Sequence, residues 1–241
     1  MKKTTRAIHQ PYKRRDAYDA LSMPVYNAVA YEFDNAQLMS DVFCGRVSAP
    51  DYSRVGNPTV ENLEQRVKGI TGATDVVAFN SGMAAISAVF IALAQQGKNI
   101  VSSRHMFGNT YSLLTSTLKR FGVEARLCDL TNVEQVEQQL DDNTCCVYLE
   151  IMTNPQLEVV DIAALAALAH QRGIPLVADT TLIPLPSSLQ KRLGWMPRWF
   201  LAPNTLAVVL LRWVDWLLIT AHFNLLGARC VANCCLISVL I

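Results

Sequence analysis

The chain has 241 residues, 51% hydrophobic and 17% charged, a composition that fits a globular protein and excludes a disordered one. A formal net charge of +1 gives no electrostatic reason to bind nucleic acid or an anionic membrane. The seven cysteines show no CxxC pair or Cys/His zinc spacing, and no apolar run follows the charged start "MKKTTRAIHQPYKRRDAYDA", so reduced thiols in a cytoplasmic, metal-free protein are expected.

Residues 1–50 are polar and turn-rich, with Pro11, Pro24 and Pro50, and read as an N-terminal arm. "NPTVENLEQRVKGITGA" predicts a helix. Asn57 can cap it, Pro58 suits its first turn, and Val60, Leu63, Val67 and Ile70 recur at helical spacing before Gly72. "DVVAFNSG" reads as a short strand running into "SGMAAISAVFIALAQQG", a nearly all-apolar helix expected to be buried. "NIVSSRHMFGNTYSLLTSTLKRFG" repeats the order of strand, loop and helix. "VEARLCDL" is a further strand, "VEQVEQQLDD" an exposed helix and "TCCVYLEIMTNP" a buried strand. "VVDIAALAALAHQRG" follows as an amphipathic helix, and "IPLVADTT" as another buried strand. Strands alternating with helices over short loops predict an α/β fold with a parallel sheet covered on both faces. In such sheets ligands bind beyond the carboxyl ends of the strands, so the polar residues there are the candidates.

Ser81, Gly82 and Met83 stand where a strand gives way to a helix. They can form a phosphate cradle from free N–H groups, a hydroxyl and a glycine, or an ordinary serine cap. Phe107 also follows a strand and can lie on an aromatic ligand or fill the core. Asp179 ends the last strand, where a carboxylate binds a cationic ring nitrogen or a metal, or caps the next turn. Glu150 and Asn154 are strand-end polar residues of equally open role, and His105 and His170 read as structural. Tyr52 and Arg54, in "YSRVGNPT", pair a phenol with a cation. That pair suits a phosphate grip or a plain surface loop.

The order "YSRVGNPT … LE … TGA … SGMAAI … FGNTY … NP … D-x-T" resembles the Cys/Met-metabolism family of pyridoxal-phosphate enzymes, from about Thr5 to Pro184. "ALSMPVYNAVAYEFDNA" and "FGNTYSLL" are most similar to its O-acetylhomoserine sulfhydrylase branch. The resemblance implies the large domain of a fold-type-I pyridoxal-phosphate-dependent transferase, truncated here, with a mostly parallel sheet flanked by helices. It implies that Ser81, Gly82 and Met83 hold the phosphate of pyridoxal 5'-phosphate and that Phe107 stacks on the ring, where most relatives have tyrosine. Asp179 would pair with the ring nitrogen, with Asn154 and Thr181 completing the ring contacts. Tyr52 and Arg54 would reach the cofactor phosphate of a neighbouring subunit, implying a homodimer or homotetramer. The implied reaction is replacement at Cγ of an activated homoserine, O-acetyl-L-homoserine plus sulfide or a thiol giving homocysteine or methionine. Cystathionine or methionine γ-elimination, or cystathionine γ-synthesis, is the alternative within the family.

At about Pro184 the chain changes character. All seven tyrosines precede that point and all four tryptophans (Trp195, Trp199, Trp213, Trp216) follow it. The last 57 residues hold thirteen leucines and a single acidic residue, Asp215. The family's Schiff-base lysine, expected some 25 residues after the aspartate, falls at Asn204, so no catalytic residue can be named and this chain is expected to be inactive. A shifted reading frame accounts for the change. Third bases joined to the next two force Asp-Ala from Trp195-Met196-Pro197, Val from Trp199-Phe200 and Gly from Trp213-Val214. They permit "VVSSTKYISGGATSVGG" from "RWFLAPNTLAVVLLRWVD", with the lysine codon straddling Pro203 and Asn204. The division expected is therefore an arm over 1–50, the N-terminal part of a pyridoxal-phosphate domain over 51–184, and a frameshifted tail over 185–241. A true alternative C-terminus on a non-catalytic product is the reading from another class. A membrane span is not expected, because Arg212, Asp215 and His222 interrupt the apolar stretch.

Overall fold

The computed structural model describes residues 5, 18, 20, 22–71, 75–182, 198–202 and 215–220. The chain divides into two compact units, one within Met1–Ile70 and the other within Thr71–Leu240.

The first unit is less irregular than an arm. Helix α1, Ala36–Phe43, starts at Asn35, whose side chain accepts from the Leu38 N–H at 2.8 Å. The sequence reading missed it, although "DNAQLMSDVF" carries the capping signal. Helix α2, Pro58–Thr71, forms where expected, with Asn57 Oδ1 accepting from the Thr59 N–H at 2.9 Å. The loop before it is pinned to the extended chain upstream. Ala30 and Tyr52 form a β-bridge, Tyr26 N–H donates to Thr59 Oγ1 at 2.8 Å, and Asn57 Nδ2 donates to the Tyr26 carbonyl at 3.0 Å and to Ser53 Oγ at 2.9 Å.

In the second unit the expected alternation appears element by element. Strand β1 is Asp75–Phe79, helix α3 Gly82–Leu93, strand β2 Asn99–Ser103 and helix α4 Gly108–Ser112. Helix α4 continues through a π-turn, Leu113–Thr117, and a 3-10 turn, Leu118–Phe121. Then come β3 (Glu124–Cys128), α5 (Val133–Gln139), β4 (Thr144–Glu150), α6 (Ile162–Gln171) and β5 (Leu176–Asp179). Within the stretch read as a tail, Arg198–Ala202 forms β6 and Asp215–Thr220 forms β7. The seven strands make one sheet in the order β1-β7-β6-β5-β4-β2-β3. Strand β7 is antiparallel to both its neighbours, so the sheet is mostly rather than wholly parallel.

The core explains why these segments read as near-continuous apolar runs. All residues of β2, β4 and β5 are buried, as a central strand covered on both faces requires. Helix α3 buries Ala85, Ile86, Val89, Phe90 and Leu93 in a cluster with Ile100, Cys146, Tyr148 and Val177, while Ile91 stays exposed. Phe90 and Tyr148 meet edge to face, ring centroids 5.1 Å apart, a geometry worth about 1 kcal/mol beyond burial. Cys128, Cys145 and Cys146 are buried thiols, and Cys44 is exposed. At the amino ends of the strands, Asp141 binds Asn99 Nδ2 at 2.9 Å and Arg126 Nη1 at 2.8 Å, locking β2 to the turn before β4.

Candidate functional site

Two antiparallel steps, β6 to β7 and β7 to β1, leave β1 parallel to β5 and β6. The carboxyl ends of β1 through β6 therefore share one edge of the sheet. The topology brings Ser81, Gly82, Met83, Phe107, Glu150, Asn154, Asp179 and Thr181 to that edge.

Ser81 takes an extended backbone, and its hydroxyl accepts from the Ala84 N–H at 3.1 Å. It is an N-cap, as one reading held. The Gly82 and Met83 amides open the first turn, where no intrahelical acceptor exists. A helix twelve residues long adds its partial positive charge there, so the anion-cradle reading stands beside the capping one. The Thr110 hydroxyl on α4 donates to Met83 Sδ at 3.8 Å and lies beside the Tyr148 phenol. Tyr148 in turn donates to Asp179 Oδ2 at 3.2 Å. A continuous run of contacts thus joins the start of α3 to the end of β5.

Asp179 is 6% exposed. Its Oδ1 accepts from the Thr181 N–H at 2.8 Å and from the Thr181 hydroxyl. Burial pushes its carboxyl above the ordinary aspartate value, and the Thr181 and Tyr148 donors pull it back only in part. Glu150 is its lateral neighbour in the β4–β5 register. In a parallel pair, laterally matched side chains lie on one face, so two carboxylates stand side by side. Burial, and then the Asp179 charge, raise Glu150 to about 7 against the donors it holds. Glu150 Oε1 accepts from the Phe107 N–H at 2.6 Å.

Phe107 is 45% exposed, which rules out the core-filling reading and leaves its ring free to meet a ligand. Asn154 is exposed, in the turn after β4. Tyr148 is a site residue that the sequence reading missed. A lone phenol in the buried run "TCCVYLE" was the available signal, because a buried tyrosine hydroxyl needs a partner. His105 pairs with Glu158 at 2.8 Å on the surface, consistent with a structural role.

Tyr52 and Arg54 belong to the first unit, where the Arg54 guanidinium lies 4.9 Å from the Tyr52 ring centroid. Asn204 lies outside the described residues, as does most of the apolar stretch around it. The β5–β6 register sets Leu201 opposite Asp179, two residues short of Pro203 in the chain. Among the described residues of the second unit the lysines are Lys98, at the amino end of β2, and Lys119, in the 3-10 turn before β3. Neither is at the site edge. Among the described residues no group of three His, Cys, Asp or Glu side chains could hold a metal ion, and no helix is long and apolar enough to cross a membrane.

The family model for Cys/Met metabolism PLP-dependent enzymes matches residues 4–193. The chain is 38% identical over 166 residues to homocysteine/cysteine synthase of Saccharomyces cerevisiae, covering 69% of this chain and 37% of the relative. It is 35% identical over 179 residues to L-methionine gamma-lyase of Pseudomonas deceptionensis, covering 74% and 45%. A solved structure from Campylobacter jejuni, assigned as an O-acetylhomoserine (thiol)-lyase and carrying a pyridoxyl-lysine phosphate, superposes with a TM-score of 0.85 at 28% identity. That match covers 93% of this chain and 55% of the other. The chain spans less than half the length of the two curated relatives.

Proposed function

We propose, from the premise that the chain belongs to the Cys/Met metabolism family of pyridoxal-phosphate-dependent enzymes, that its sheet edge is a pyridoxal 5'-phosphate site from a trans-sulfuration enzyme. The observation that carries this reading is the unbroken run of contacts Met83–Thr110–Tyr148–Asp179, which links an anion cradle to a buried carboxylate. The donor set suits this cofactor. The Gly82 and Met83 amides and the Ser81 hydroxyl would hold its phosphate, the exposed Phe107 face would cover its ring, and Asn154 and Thr181 would flank it. A protonated ring nitrogen beside Asp179 would relieve the cost of burying that carboxylate. When bound, pyridoxal phosphate supplies an electron sink for carbanion chemistry on amino acids.

The parent reaction is replacement at Cγ of O-acetyl-L-homoserine by sulfide or a thiol, in the cytoplasm, within a homodimer or homotetramer to which Tyr52 and Arg54 of each subunit contribute. Similarity to a methionine gamma-lyase supports γ-elimination as the second reading. The present chain binds but does not catalyse, because Asn204 stands where the lysine belongs and 185–241 is translated out of frame.

Two experiments test this. Pyridoxal phosphate titrated into the full chain gives saturable absorbance, yet borohydride followed by denaturation leaves no stoichiometric pyridoxyl label. Absence of saturable uptake overturns the site, and a stoichiometric label overturns the non-catalytic reading. The nucleotide sequence from codon 180 onward shows an open shifted frame encoding the lysine motif. Stops in that frame overturn the frameshift.

A further inference from the structure

Tyr148 is 0% exposed, and its phenol is placed by the core rather than by the sheet edge. Its ring meets Phe90 of α3 edge to face, with centroids 5.1 Å apart. In the β4–β5 register Tyr148 stands beside Val177, one same-face position before Asp179. The hydroxyl therefore reaches forward along the sheet to Asp179 Oδ2, at 3.2 Å and 31 residues away in sequence. The other donors to this carboxylate, the Thr181 N–H and hydroxyl, both go to Oδ1 and come from the turn that Asp179 itself begins. They travel with Asp179, whereas the phenol ties it to the neighbouring strand.

We propose that Tyr148 is a positioning residue, its core-anchored phenol fixing Asp179 so that Oδ2 is the oxygen that meets the pyridoxal ring nitrogen, and sharing that oxygen with the ring. The inference rests on the cofactor reading given above. Two features favour it. Each carboxylate oxygen has about two acceptor sites. Among the described residues Oδ1 has both filled by Thr181 while Oδ2 holds the phenol alone, which leaves one site on Oδ2 for an N–H donor. Second, a phenylalanine would fill nearly the same volume in this core with no polar atom to bury, so packing alone does not call for the hydroxyl. A neutral donor on Oδ2 also spreads the carboxylate's charge, so Asp179 grips a ring proton less tightly than a bare carboxylate would. Glu150, beside Asp179 on β4, is its other ionisable neighbour among the described residues. The β6 residues in register with β5, Trp199, Phe200 and Leu201, carry no ionisable group.

The test uses the full chain in three forms: wild type, Tyr148→Phe and Tyr148→3-fluorotyrosine, whose more acidic phenol is a stronger donor. Carbon NMR follows the Asp179 carboxyl through pH without ligand, absorbance of bound pyridoxal phosphate follows its ring nitrogen, and thermal melting reports whether each variant folds. In Tyr148→Phe the Asp179 midpoint and the ring-nitrogen midpoint both rise by about one pH unit, the worth of one hydrogen bond to a charged group. The fluorinated protein moves both midpoints the other way, and it carries the test should the phenylalanine variant not fold. Glu150 is present in all three forms, so the comparison isolates the phenol. An unmoved Asp179 midpoint overturns the proposal, because the hydrogen bond is then absent. A moved Asp179 midpoint beside an unmoved ring midpoint overturns it too, because the phenol then serves the fold alone. If wild type takes up no pyridoxal phosphate, the cofactor reading falls and the proposal with it, whereas uptake with unmoved midpoints overturns the proposal alone.

Discussion

Glu150 and Asp179, matched across β4 and β5, make the stability of this fold depend on pH in an unusual direction. Burial is the main reason that the Glu150 carboxyl rises from 4.5 to about 7. A folded-state value above the unfolded one means that the native state binds the proton more tightly. Stability from this group is therefore full below pH 4.5 and is lost as pH climbs through about 7. The gap corresponds to about 3 kcal/mol, an upper figure because part of it is shared with Asp179. Asp179 is raised as well and pushes the same way. Glu150→Gln removes the charge, keeps an acceptor for Phe107 N–H, and relieves Asp179 of its neighbour. Urea unfolding of both proteins from pH 4.5 to 8 measures the effect. Wild type loses up to about 3 kcal/mol more than the variant over that range, most of it between pH 5 and 7.5. Equal losses in the two proteins refute the account of a buried, laterally paired carboxylate.

Three further perturbations probe the scaffold. Ser81→Ala removes the cap of α3 and costs about 1 kcal/mol in urea unfolding, with Ser81→Asn restoring most of it; an unchanged midpoint in Ser81→Ala contradicts the capping role. Tyr148→Phe deletes the donor to Asp179 Oδ2 in a fully buried place and costs about 1–2 kcal/mol. Asp179 then rises further, so this variant loses more stability than wild type as pH rises above the ordinary aspartate value of 3.8. Asp141 is held down at about 2, first by its hydrogen bond from Asn99 and then by Arg126, so its stabilisation is present above pH 3.8 and lost as pH falls through about 2. Asp141→Asn is less stable than wild type at pH 7, and acid unfolding followed by circular dichroism brings the two together near pH 2.

Much of this was legible in the sequence because the signals were local. The helix over Pro58–Thr71 announced itself by Asn57, Pro58 and the spacing of its apolar residues, and the buried strands by unbroken apolar runs. Ser81 was readable both as a cap and as a cradle, since the same open amides serve either purpose. Helix α1 went unread because the prolines around it dominated the impression of its segment. What stayed hidden depends on register. No spacing within the chain says that Glu150 and Asp179 fall opposite each other, or that Tyr148 Oη reaches across to the next strand. The tail shows the converse. Its composition differs from that of the rest of the chain, yet Arg198–Ala202 and Asp215–Thr220 take up strand positions in the sheet, because short runs of apolar and aromatic residues suit a strand.

The neighbours of the two carboxylates divide their roles. Glu150 receives the main-chain Phe107 N–H from the loop after β2, so its charge is directed into holding backbone. Asp179 receives a hydroxyl and an amide from Thr181 on one oxygen and a phenol on the other, all neutral donors. Neutral donors soften the cost of a buried charge without cancelling it, and Asp179 remains raised. A pair of adjacent buried carboxylates is an arrangement in want of a cation. A lysine after β6 would add bond-making chemistry to this edge but is not needed to create that demand. The open amides at the start of α3, the Tyr148 phenol and the raised Asp179 carboxylate create it by themselves.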